Sequence, residues 1–175
     1  MSFMETTYGP VFGELLRTNR QRALDAGSPD VADLGRIQLL SVDEAFAHDE
    51  IADLGNARCC WSAIWLLYDF LDESHTISQG VATTEGSFWH GIMHRREGDF
   101  SNAKYWFRKV GDHPVYKLLA AEPLGEADGW DPRNFVDACQ SALRLGGAEA
   151  DRCQQLQQRE WELLFDYCYS QAIGK

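Results

Sequence analysis

Apolar side chains recur along this chain at helical rather than strand spacing. From Pro10 to Ala26, Val11, Phe12, Leu15, Leu16 and Leu24 predict a first helix, opened by a proline suited to the first helical position and ended by Gly27 and Pro29. Asp30 to Leu40 is ambiguous, but Ser41 and Glu44 have the spacing of a capping box, so a short helix is expected to begin there. In Asn56 to Glu73, apolar side chains cover nearly the whole circumference at about 100° per residue. A helix apolar all round is normally buried, which predicts a central helix whose Ser62, Asp69 and Glu73 share the one polar stripe. Ser74 to Thr84, broken by Gly80, reads as a connection.

Glu85 to Glu97 and Phe100 to Val110 form the next pair of helical patterns, with Gly98 as a left-handed stop and Asp99 as the cap of the second. Pro114 opens a further segment carrying Val115, Leu118 and Leu119, and Glu122 to Trp130 is a loop rich in glycine and proline. Asp131 and Pro132 start a helix that runs through Phe135, Val136, Cys139 and Leu143 to Gly146 and Gly147, and a last one covers Ala148 to Gln171. No strand alternation stands out. The expected fold is all-α, about six to eight helices by ordinary helix lengths.

Composition narrows the class. A chain of 175 residues with 45% hydrophobic content suits one domain, residues 1–175. The formal charge of -11 argues against nucleic acid and against anionic lipid as partners, since both are bound by dense Lys and Arg. Five cysteines, two of them adjacent and none in a C-x-x-C pair, suggest neither a disulfide framework nor a zinc ribbon. The opening MSFMETTYGP lacks the basic and apolar regions of a signal peptide, and Cys59 to Leu71 is too short for a membrane span. A soluble, cytoplasmic protein is expected.

Candidate chemistry gathers in Gly86 to Pro114. On a helical wheel His90, His94 and Glu97 share one stripe, and histidines four apart can present ring nitrogens to one cation. Asp69 and Glu73 are likewise four apart, with His75 just beyond, so His90, His94, Asp69 and Glu73 make a candidate site for zinc, iron or manganese. The run HGIMH is not the zinc-protease motif, because Gly91 stands where that motif carries its glutamate. In the competing reading, Arg96 falls on the apolar arc and, if buried, needs Asp69 or Glu73 as its counter-charge. Basic residues also outnumber acidic ones from Gly86 to Lys117, so Arg95, Arg96, Lys104, Tyr105 and Arg108 form a candidate site for an anion or an acidic protein segment.

The spacing of Gly91, Gly98-Asp99-Phe100, Ala103, Phe107, Val110 and Pro114 resembles one tetratricopeptide repeat. That resemblance implies a helical hairpin with Gly91 and Ala103 in close contact and Phe107 as core aromatic. His94 and Ser87 depart from the motif, Pro114 comes one residue early, and no second copy follows at the repeat period. The run from Ser87 to Pro114 also resembles segments of bacterial and fungal proteins described only as hypothetical, which implies no activity. Three functional readings stand: a helical protein with a polar pocket for a small anionic molecule or protein segment, a metal-dependent enzyme of hydrolase type, and an adaptor without small-molecule chemistry.

Overall fold

The computed structural model describes residues 5–125 and 129–175, so part of the Glu122 to Trp130 loop and the first four residues lie outside the described residues. Every regular element among them is helical. A short 3-10 turn, Glu5–Tyr8, leads into α1 (Gly9–Leu15), followed by α2 (Val31–Gln38), α3 (Val42–Ala45), α4 (Leu54–Leu67) and α5 (Leu71–Gln79). Then come α6 (Thr84–Glu97), α7 (Phe100–Val110), α8 (Pro114–Ala120), α9 (Pro132–Leu145) and α10 (Gly147–Ala172). The all-helical expectation holds, with more and shorter helices than the spacing predicts.

Local capping chemistry sets several of the expected ends. Ser41 and Glu44 form the reciprocal capping box of α3, and Thr83 caps α6 through the Gly86 amide. Gly98 ends α6 at φ +90°, a conformation that penalises a Cβ, and the Asp99 side chain then accepts from the Asn102 amide to start α7.

Two boundaries differ from the pattern, and both are set by distant residues. α1 stops at Leu15 because the following segment is held elsewhere: Arg20 donates to the Leu16 carbonyl at 2.7 Å, and Gln157 from α10 donates to the Ala23 carbonyl at 2.9 Å. Leu24 thereby joins Phe135, Cys139, Ala142, Cys153 and Leu156 in a small apolar cluster between α9 and α10. The predicted helix from Asn56 to Glu73 breaks at Asp69, which adopts φ +64°. Its carboxylate accepts from Arg96 at 2.6 Å, from Arg22 at 2.8 Å and from the Ser28 amide at 3.2 Å, which secures a backbone shape that L-residues otherwise avoid.

This break makes Ser74 to Gln79 part of a helix instead of a connection, and folds α5 back between α4 and α6. Ser62 fastens the bend by donating to the Ser74 carbonyl at 2.9 Å. α6 packs on α4, α5 and α7, and every residue from Gly86 to Arg96 is buried. The α6 and α7 pair is a tight hairpin: a Cβ on Gly91 would lie 3.2 Å from the Phe107 ring, so glycine here sets the interhelical distance. α10 closes the far side of α4 with Trp161 donating to the Ala63 carbonyl at 3.1 Å. All five cysteines are free and buried in this packing.

Candidate metal centre

α6 cannot bury all its sides without burying polar side chains, and it divides them between two directions. Arg95 and Arg96 point one way; His90 and His94, one turn apart, point toward α5 and α7. His75 of α5 meets them there. Ring centroids of His75 and His90 are 4.6 Å apart, those of His90 and His94 4.5 Å, and those of His75 and His94 5.3 Å. One ring nitrogen from each of the three lies within 4.8 Å of the others. Nitrogens around a single tetrahedral zinc stand about 3.4 Å apart, given Zn–N bonds of about 2.1 Å, so modest ring rotations would close the set. His90 and His94 are buried, and His75 is half-buried on the solvent side.

The neighbours fix which nitrogen is free. Ser78 has a single hydroxyl proton and donates it to the His75 carbonyl at 3.2 Å, so toward His90 Nδ1, 3.0 Å away, it must accept. His90 therefore carries its proton on Nδ1 and presents a lone pair at Nε2. Burial, then the charges at His94, His75 and Lys109, push its pKa down to about 3, which keeps the ring neutral. At His94 the Glu97 carboxylate, an acceptor only, sits 2.5 Å from Nδ1 and claims that N–H. The Asn102 side-chain amide faces Nε2 at 3.0 Å, and a metal taking that lone pair would displace it. Paired claims of this kind on the far nitrogen orient histidine ligands in metal sites.

The structure brings His90 and His94 together and replaces the two predicted carboxylates with His75. Asp69 is consumed by Arg96 and Arg22 at the α4–α5 bend, away from the histidines. Glu73 lies two residues from His75, on another side of α5, and lines a shallow groove with Trp65, Asp72, Thr76 and Ile77. His94 also forms a second cluster with Glu97 and Asp99, but Asp99 is engaged in capping α7.

The predicted anion surface does not assemble either. Arg95 is wholly buried, bonded to Glu160 of α10 at 2.5 Å and stacked 4.6 Å above the Phe135 ring. Arg96 is buried against Asp69 and the Leu66 carbonyl. Lys104 pairs with Asp137 of α9. Only Tyr105 and Arg108 stay at the surface, side by side, with the guanidinium 5.9 Å from the ring. Helical spacing put Arg96 on the apolar arc and counted Arg95 with the basic surface; it could not tell that carboxylates on α10 and at the α4–α5 bend would neutralise them.

No family model, curated protein or solved structure matches this chain. No helix among the described residues is long and apolar enough to cross a membrane.

Proposed function

We propose that the protein is a metal-dependent enzyme of hydrolase type whose divalent ion is held by His75, His90 and His94. The observation that carries this reading is the convergence of three imidazoles from two helices, two of which have Nδ1 claimed by neighbours, with His94 Nε2 facing the neutral Asn102 amide that a metal would displace. An all-nitrogen set favours zinc over manganese, which prefers oxygen. Three protein ligands leave a coordination position for water, and zinc lowers the pKa of such a water to about 7, which supplies hydroxide at neutral pH. The half-buried His75 marks the side from which that water and a substrate would enter. In this reading the α6–α7 hairpin is the frame of the site, whatever its likeness to a single repeat unit, and a reducing cytoplasm suits its five free thiols.

Metal analysis after stripping with chelator and dialysis against zinc tests the proposal. One equivalent of zinc is expected in the parent protein and in Glu73→Gln, and at most a small fraction of that in His75→Ala, His90→Ala and His94→Ala. Negligible zinc in the parent, or zinc in the histidine variants equal to that of the parent, would overturn it. Cobalt substitution adds an absorption spectrum that reports the ligand set directly.

A further inference from the structure

The shallow groove at the α4–α5 bend lies on another side of α5 from His75, and its chemistry is incomplete. It measures about 350 Å³ and is lined by Trp65 of α4 and by Asp72, Glu73, Thr76 and Ile77 of α5. Trp65 and Ile77 are the apolar part of that lining, continuous with the core. Asp72 and Glu73 stand in the first turn of α5, where the helix dipole favours acidic side chains. Among the described residues, no ion pair or side-chain hydrogen bond engages either carboxylate. No third ligand group joins them there, so the two do not make a metal site.

Trp65 adds a second, independent observation. The side chain is 6% exposed and meets Phe70 edge-on, and its indole N–H has no acceptor among the described residues. Unlike the unpartnered indole N–H of Trp130, it is not sealed from solvent. The small accessible part of Trp65 therefore includes Nε1, and the groove is where Trp65 reaches the surface. Indole donors this deeply placed normally find a partner, as Trp161 does at the Ala63 carbonyl.

The groove thus offers one N–H donor, two unpaired carboxylates and an apolar surface. A ligand that answers all three carries positive charge at the end of an apolar stem and an acceptor oxygen close by, which is the make-up of an Arg or Lys residue within a peptide. Sites for small molecules enclose most of their ligand, whereas this groove is shallow and built by two neighbouring helices. A second copy of the chain would bring a net charge of -11 toward an acidic rim.

We infer that the groove docks a basic segment of a partner protein. The stem of an Arg or Lys lies against Trp65 and Ile77, its charged head meets Asp72 and Glu73, and a carbonyl of the segment accepts from Trp65 Nε1. The acidic field of the whole chain steers such a partner toward it.

The test uses isotope-labelled protein and follows the Trp65 indole N–H resonance, assigned by its disappearance in Trp65→Phe. The probes are the peptide acetyl-Ala-Arg-Leu-Arg-Ala-amide, the same peptide with citrulline in place of arginine, and agmatine, which is the arginine head without a peptide. The arginine peptide should shift the resonance and bind about tenfold more tightly than the citrulline peptide, the scale of two partly exposed ion pairs. In the double variant Asp72→Asn with Glu73→Gln, whose side chains bond to nothing in the fold, that preference should fall to within about twofold. An unmoved Trp65 resonance, equal affinity for the two peptides, or a preference that survives the double variant would overturn the inference. Agmatine binding as tightly as the arginine peptide would overturn it too, and would make the groove a site for a small cation.

Discussion

The two polar sides of α6 are chemically opposite although both are buried. Toward α10 and the α4–α5 bend, Arg95 meets Glu160 and Arg96 meets Asp69, each charge neutralised by a charge of the other sign. Toward α5 and α7, His90 and His94 meet only a third imidazole, a serine, an asparagine, a glutamate and a tryptophan. The first side balances its charges within the chain, although Arg95 Nε and Nη1 and Glu160 Oε1 have no hydrogen-bond partner among the described residues. The second collects lone pairs with no cation among them, and that contrast separates a structural polar cluster from a candidate site more sharply than burial or pKa does.

The largest test of the contrast is at the closed side. Glu160→Leu would leave the fully buried Arg95 guanidinium without a counter-charge, and removing one partner of a buried pair costs about 3–5 kcal/mol. Replacing both, as Arg95→Met with Glu160→Leu, should recover most of that loss, since the pair contributes little beyond offsetting its own desolvation. Urea unfolding of the metal-free protein measures both. On the open side, His75→Ala should cost under about 1 kcal/mol in the same assay, being half-buried and free of any charge it must neutralise. A His75→Ala loss as large as that of Glu160→Leu would erase the distinction.

A smaller effect is expected at Ser78, which touches the open side without belonging to the ligand set. By accepting from His90 Nδ1 it selects the tautomer that presents Nε2. Ser78→Ala should weaken zinc binding about 10- to 100-fold, the usual range for a partner that orients a histidine ligand. Competition with a chromophoric chelator gives the number. Unchanged zinc affinity with intact folding would mean that the tautomer is set elsewhere.

Where a boundary depends on residues within four positions of it, the sequence pattern locates it: the Ser41–Glu44 box, the Gly98–Asp99 turn and the Asp131–Pro132 start all stand where spacing and turn chemistry place them. The break at Asp69 is different. Tyr68-Asp69-Phe70 contains no glycine or proline, and the groups that stabilise the positive φ, from Arg22, Ser28 and Arg96, are 27 to 47 positions away in the chain. Without that break, Asp69 and Glu73 would share one polar stripe of a single helix. With it, Asp69 becomes the counter-charge of Arg96, as the burial of that arginine requires, and His75 swings onto α6 in place of the carboxylates. Two of the three candidate ligands were therefore readable from helical spacing, and the position of the third depended on one tertiary turn.

The smallest expected effect concerns Tyr116, on the closed side. Its hydroxyl is buried without a hydrogen-bond partner among the described residues, and burial together with the charges of Glu160, Asp131 and Asp112 pushes its pKa well above that of an ordinary tyrosine. A group of this kind keeps its proton in the native state at a pH where the unfolded chain releases it. Stability is then unaffected below pH about 10 and falls as pH rises beyond it, by at most about 1.4 kcal/mol per pH unit for one such group. Tyr116→Phe removes the hydroxyl and its titration together, so at neutral pH it should change stability by less than about 1 kcal/mol, in the stabilising direction if the hydroxyl is as poorly paired as its surroundings indicate. Above pH 10 the variant should lose stability less steeply than the parent, measured by unfolding at a series of pH values. Parallel slopes would mean that Tyr116 can ionise in place, and that the closed side of α6 tolerates a new charge that its packing argues it should refuse.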